Sequence, residues 1–294
     1  MKFFGSIPAI VTPFLNGKLD LERFAALVEW QISEGSNGIV VCGTTGESPT
    51  LTDDEHRSLV AKAVAVAKGR IPIIAGTGSN STHHAIAMTR TADEVGADGT
   101  LHATGYYNKP TQAQIIEHFR QIDAATKLPI IVYNIPSRTG IELSVDTLAA
   151  LSEMKNIAGN KDSTGNVARV TQERLRIKKP FSFLSGDDLT SLGYVAHGGD
   201  GCVSVTANVA PKLCSQLMAA SLAGDWKKAR ELQDRLMTLH AALFIEPSPG
   251  GIKYVMSKLG LVREELRSPI APVSEAARRK LDEALEIANV SSKF

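Results

Sequence analysis

Pro129-Ile130-Ile131-Val132-Tyr133 and Ile157-Ala158-Gly159-Asn160-Lys161 are short apolar runs, and each ends in a side chain with chemistry to offer. A third, Gly38-Ile39-Val40-Val41-Cys42, runs into Gly43-Thr44-Thr45-Gly46-Glu47. Taken one at a time, the tips have ordinary readings. Lys161 could be a solvated turn residue, Tyr133 a packed aromatic, and Thr44-Thr45 a turn before a helix cap. Their recurrence argues otherwise. Similar runs lie at 7–12, 71–76, 99–103, 181–185 and 202–205, making eight in all, and the gaps between them hold one helix and two loops each. Near-continuous apolar strands alternating with helices imply a parallel sheet covered by helices. Eight such units predict a (β/α)8 TIM barrel in preference to an open doubly wound sheet. An open dinucleotide-binding sheet wants GxGxxG after a strand, and Gly76-Thr77-Gly78-Ser79-Asn80 lacks the third glycine.

Helix punctuation agrees with this reading. Thr52-Asp53-Asp54-Glu55 has the form of a capping box, and Ser144-Val145-Asp146-Thr147 and Ser274-Glu275 read as helix starts. After the eighth strand the chain turns helical at 211–222, 225–244, 251–259 and 274–288. That is more than one closing helix. The expected organisation is a catalytic barrel at 1–224 followed by a C-terminal helical extension at 225–294, packed on the barrel.

A barrel carries its active site at the C-terminal ends of its strands. Thr44 and Thr45 fall there after the second strand, Tyr106 and Tyr107 after the fourth, Tyr133 and Arg138 at and after the fifth, Lys161 at the sixth and Ser185-Gly186-Asp187 at the seventh. Independent placements would not gather every reactive tip on one rim. A lysine at such a buried mouth is poised to lose its proton and attack a carbonyl, because burial disfavours the ammonium form. Lys161 is therefore the expected nucleophile.

Composition sets the bounds. Of 294 residues, 43% are hydrophobic and 21% charged, which is a globular balance. A net charge of +1, from 32 basic and 31 acidic residues, offers no electrostatic case for nucleic acid or a membrane surface. No apolar stretch approaches the roughly 20 residues that span a bilayer. The N-terminal segment is interrupted by Pro8 and Pro13 and reads as mature protein, consistent with a cytoplasmic location. Cys42, Cys202 and Cys214 are odd in number and widely spaced, so they read as buried filler. The histidines lack metal-ligand spacing, with His83 and His84 about 100° apart on a helix, and no catalytic metal is expected.

Several motifs in order resemble the dihydrodipicolinate synthases of the pyruvate-dependent class I aldolase group. They are Gly43-Thr44-Thr45-Gly46-Glu47-Ser48, Tyr106-Tyr107-Asn108-Lys109-Pro110, Tyr133-Asn134-Ile135-Pro136-Ser137-Arg138-Thr139-Gly140, Lys161-Asp162-Ser163-Thr164-Gly165 and Ser204-Val205-Thr206-Ala207-Asn208. The likeness spans essentially the whole chain. It implies condensation of pyruvate with L-aspartate 4-semialdehyde to 4-hydroxy-tetrahydrodipicolinate, on the diaminopimelate route to lysine. By resemblance, Lys161 forms an imine with pyruvate, and Tyr133 shuttles protons through Thr44 to Tyr107. Thr45 holds the pyruvate carboxylate, Arg138 binds the carboxylate of the semialdehyde, and Gly186 and the Val203 backbone line the pocket. No cofactor is implied, since the imine is its own electron sink. The resemblance also implies a homotetramer, a dimer of dimers in which Tyr107 reaches a neighbouring subunit's site across the tight interface.

Arg138 separates this reading from the sister N-acetylneuraminate lyases and 2-keto-3-deoxy sugar acid aldolases, which share the lysine and tyrosine but generally lack an arginine in this loop. A reading from another class is a barrel that captures a 2-keto acid on Lys161 without turnover. The intact Tyr133, Thr44 and Tyr107 set favours an enzyme, because a pure binder has no need of a proton relay.

The chain departs from the family pattern at Asn160, Gly105, His102 and Pro249-Gly250-Gly251. Asn160, usually apolar, should face away from Lys161 and cost stability more than catalysis. Gly105 and His102 are expected to loosen the loop presenting Tyr106 and Tyr107. In lysine-inhibited members, lysine binds at positions matching Ser48, Asp53, His56, Asn80, His84 and Tyr106. His84 stands where sensitive members carry glutamate, so weak or absent feedback inhibition is expected.

Overall fold

A computed structural model describes residues 2–290. Eight strands form one parallel sheet: β1 (Gly5–Pro8), β2 (Ile39–Val41), β3 (Ile73–Gly76), β4 (Gly99–Ala103), β5 (Ile130–Asn134), β6 (Ile157–Asp162), β7 (Ser182–Ser185) and β8 (Gly201–Ser204). Their order is β1-β8-β7-β6-β5-β4-β3-β2. The seam between β1 and β2 is closed by the Ala9–Val40 bridge, where Ile10 N–H donates to Val40 O at 3.0 Å. This is the expected (β/α)8 barrel.

Helices follow the strands: α1 (Leu21–Ser33), α2 (Asp53–Ala67), α3 (Thr82–Glu94), α4 (Gln112–Ala124), α5 (Val145–Ser152), α6 (Ala168–Arg176), α7 (Ser191–Ala196) and α8 (Pro211–Leu222). The tail adds α9 (Trp226–Ala242), α10 (Gly250–Lys258) and α11 (Glu275–Ala288), with α9 packed on α8 and α11. Thr52 caps α2 in a full capping box with Glu55, and Ser144 and Ser274 cap α5 and α11 as the sequence predicts. Among the described residues, no helix is long and apolar enough to cross a membrane.

Strand alternation separates a core inside the barrel from the packing between strands and helices. Ile7, Val40, Ile74, Leu101, Ile131, Tyr133, Leu184 and Val203 fill the barrel. The residues between them face the helices, where Ile39, Val41, Ile73 and Cys202 join the side chains of α1, α2 and the tail helices.

The first strand is shorter than the 7–12 run suggests. Beyond Ile10 the chain leaves the sheet, and Val11 N–H is taken by the Asn208 side chain at 3.0 Å instead of by a neighbouring strand. A two-stranded hairpin, Phe14–Leu15 with Lys18–Leu19, follows unforeseen. Its Asn16-Gly17 tip has φ of 53° and 78°, the left-handed pair that a tight hairpin requires.

Candidate active site

The register of β5 and β6 places Tyr133 beside Lys161 and Asn134 beside Asp162. Both catalytic candidates point into the barrel and are nearly closed off from solvent, at 7% and 6% exposure. Lys161 Nζ lies 4.0 Å from the centroid of the Tyr133 ring. The ring packs among Ile131, Leu184 and Val203, so its position is fixed by the barrel core. At its rim the Tyr133 hydroxyl receives a long contact of 3.5 Å from Ser163 Oγ.

The β7 terminus completes the wall behind the amine. A Cβ built at Gly186 would lie 2.6 Å from Lys161 Cε and 2.1 Å from Ser163 Oγ. Only glycine lets the strand end approach the lysine this closely. Val203 on β8 is buried in the same inner cluster. Lys161, Tyr133, Gly186 and Val203 are therefore brought together.

The threonine pair lies in the loop after β2. Thr45 is buried and Thr44 half-buried. Gly46 N–H donates to Gly43 O at 3.0 Å, and Thr12 Oγ1 donates to Gly46 O at 2.7 Å, which ties this turn to the chain after β1. Arg138 is exposed on the one-turn helix Pro136–Thr139 that follows β5, and among the described residues its guanidinium has no carboxylate partner. Tyr107 is 89% exposed and its backbone is left-handed, with φ of 66°. Among the described residues, no hydrogen bond links Thr44 to Tyr133 or Tyr107, so within one chain the three-hydroxyl relay is not closed.

The residues matched to a lysine site divide between core and surface. His56 is buried on α2 and its Nε2 lies 2.8 Å from Gly76 O. His84 Nε2 is 3.2 Å from Asp53 Oδ1 and its Nδ1 is 3.4 Å from Ser79 Oγ. Asn80 O accepts from Asn108 Nδ2 at 3.0 Å, while Ser48 is half-buried and Tyr106 is 38% exposed.

Two departures settle into partners. His102 is buried outside the barrel, with Nε2 2.9 Å from Thr77 Oγ1 and its ring edge-on to Phe119. Burial pushes its pKa down to about 3, so it is neutral. It is a packed part of β4, which differs from the loosening expected of it. Asn160 faces the helices as expected and donates to Glu173 at 2.9 Å.

Two charge clusters around the site went unread in the sequence. Glu47 ends the threonine loop in a left-handed conformation, φ 58°, and its carboxylate is buried. It accepts from Lys253 Nζ at 2.5 Å and from Arg267 N–H at 2.9 Å, both in the tail. Lys253 is wholly buried over the Phe14 ring, and burial lowers its pKa. The other cluster gathers Asp162, Arg169 and Glu173 behind Lys161.

Comparison with known proteins decides the family. Residues 2–288 match the Dihydrodipicolinate synthetase family. The chain belongs to that family. It is 53% identical over 288 residues to the 4-hydroxy-tetrahydrodipicolinate synthase of Parvibaculum lavamentivorans, covering 98% of this chain and 99% of that one. The dihydrodipicolinate synthase structure from Aquifex aeolicus superposes with a TM-score of 0.96 at 45% identity, covering 99% and 100% of the two chains. The chloride-inhibited synthase from Acinetobacter baumannii, solved with pyruvate, gives 0.96 at 43% identity, covering 98% and 100%. The family member described here is accordingly an enzyme with 4-hydroxy-tetrahydrodipicolinate synthase activity, in lysine biosynthesis, as its motifs imply.

Proposed function

We propose that the enzyme condenses pyruvate with L-aspartate 4-semialdehyde through an imine on Lys161. The observation that carries this reading is the buried Lys161 amine held over the buried Tyr133 ring at the C-terminal ends of β5 and β6, with Gly186 making room for the lysine stem. In this reading the amine adds to the pyruvate ketone and water leaves. The imine draws a methyl proton off to give an enamine, which attacks the aldehyde carbon. The amine of the semialdehyde then displaces Lys161 from the imine carbon, closing the ring.

Proton traffic falls to Tyr133. A phenol with a pKa of about 10 is a weak base alone, so it needs a hydroxyl partner. Ser163 stands nearest, at 3.5 Å, and Thr44 and a Tyr107 from another subunit are the partners implied by resemblance. The exposure of Tyr107 in a left-handed turn supports its being presented outward, to a second copy in a homotetramer. Thr45 is assigned to the pyruvate carboxylate and the exposed Arg138 to the carboxylate of the semialdehyde, for which its forked donors are well shaped. Ser48, His56, Asn80, His84 and Tyr106 are proposed as a vestigial lysine site, with His84 already engaged by Asp53.

The test is pyruvate consumption by purified enzyme offered the semialdehyde, N-acetylmannosamine and glyceraldehyde in parallel. Turnover with the semialdehyde alone is expected. Turnover with a sugar aldehyde would move the site to a sister aldolase, and binding without turnover would leave a 2-keto acid receptor.

A further inference from the structure

On the outer face of the barrel, directly behind the nucleophile, sits a set of charges that the condensation does not use. Glu173, wholly buried on α6, accepts Asn160 Nδ2 at 2.9 Å on one oxygen and Arg169 Nε at 2.7 Å on the other. Arg169 Nε also lies 3.0 Å from Asp162 Oδ2, and that oxygen accepts Asn134 Nδ2 at 3.0 Å. Side chains alternate along a strand, so Asn160 and Asp162 flank Lys161 in sequence and point away from it. Asn134 flanks Tyr133 in the same way, and the register pairs it with Asp162. One carboxylate thus reaches the residue before the nucleophile directly and the residue after it through a guanidinium.

The charge balance is unusual for a purely structural cluster. A single buried cation, Arg169, faces Asp162 and Glu173 in the core and Glu142 at 2.7 Å nearer the surface. Burying a second carboxylate beside one guanidinium costs stability, and apolar side chains in such places often stabilise more.

We propose that Glu173 is a positioning residue for the imine-forming lysine: ionised, it grips Asn160 and, through Arg169, Asp162, and so fixes Lys161 against Tyr133. The proposal rests on Lys161 being the nucleophile. Burial, opposed by Arg169, pushes the Glu173 carboxyl up to about 7. Asp162 on β6 pushes the same way. Tyr194 on α7 adds a buried hydroxyl without a hydrogen-bond partner among the described residues, and Glu142, from the loop before α5, shares Arg169. Above that pH the carboxylate holds both flanking residues. Below it the Asn160 donor loses its anionic acceptor and the grip loosens. Imine formation should slow as pH falls through the ionisation of Glu173.

The experiment follows pyruvate imine formation, trapped by borohydride reagents, and kcat for condensation between pH 6 and 8.5 on the full-length enzyme. Glu173→Gln keeps the shape and removes the charge. It should lose the limb near neutrality and run at a flat rate about tenfold below the wild-type plateau, with the KM for pyruvate little changed. Asn160→Leu removes a hydrogen bond that favours the ionised form, so its limb should move to higher pH. A wild-type limb in both variants, with only thermal stability lowered, would reduce Glu173 to a structural role. If Glu173→Gln fails to fold, an unshifted limb in Asn160→Leu overturns the proposal alone. Absence of any trapped adduct in wild type would instead defeat the assignment of Lys161 itself.

Discussion

Lys161 Nζ stands 4.0 Å above the Tyr133 ring, and the two residues are register partners on adjacent strands. The ring face of Tyr133 lies against the amine while its hydroxyl meets Ser163 at 3.5 Å, so the roles proposed for the ring and for the hydroxyl rest on different atoms. These roles separate by substitution. Tyr133→Phe keeps the face and should still form the imine, yet condensation kcat should fall on the order of 10²-fold. Lys161→Ala should yield no covalent pyruvate adduct by mass spectrometry after borohydride. Normal turnover in Tyr133→Phe would remove this tyrosine from proton transfer.

Gly186 tests how tightly the Lys161 amine is confined. An alanine Cβ there meets Lys161 Cε at 2.6 Å and Cγ at 2.9 Å. The lysine stem is flexible and can swing aside, so the fold should survive with a loss below about 2 kcal/mol. The amine, however, leaves its place over Tyr133. Gly186→Ala should therefore lose on the order of 10²-fold in kcat/KM while keeping its melting temperature within a few degrees. Thermal melts and steady-state kinetics decide it. A variant that loses stability and keeps activity would mean the lysine is not confined there.

What the sequence discloses about this fold lies in its local signals. Eight apolar runs predict eight strands because buried parallel strands are apolar on both faces. The tips line one rim because all eight strands run the same way, so Tyr133 and Lys161 are legible from spacing. Thr44, Thr45, Arg138 and Tyr107 are legible through their motifs, by resemblance. The Glu47–Lys253 pair joins residues 206 positions apart, and no periodicity carries such a contact. Arg169 and Glu173 are one helical turn apart and look like a surface pair, and only the fold shows that both are buried. The packing of His102 is not legible locally, because its partner Thr77 lies 25 residues away on the preceding strand-to-helix connection. The Asn16-Gly17 tip, by contrast, is a local hairpin signal in the sequence itself, and its two residues adopt the left-handed backbone such a turn requires.

The pairing of Glu47 with Lys253 makes the C-terminal tail part of the threonine loop's support. The ammonium is wholly buried, bonded to Glu47 and, at 2.7 Å, to Glu265 O, so neither charge of the pair can turn to water. Removing one partner strands the other. Lys253→Met and Glu47→Gln should each cost roughly 3–5 kcal/mol. The double variant strands neither charge and should cost less than the sum of the two, with a coupling of about 0.5–3 kcal/mol. Because Glu47 follows Thr44-Thr45-Gly46 directly, either single change should also raise the KM for pyruvate while Lys161 remains trappable. Urea denaturation across the three variants measures the coupling, and pyruvate kinetics measure the loop. Strict additivity would show that the two charges are held independently, and an unchanged KM would separate the tail from the pyruvate site.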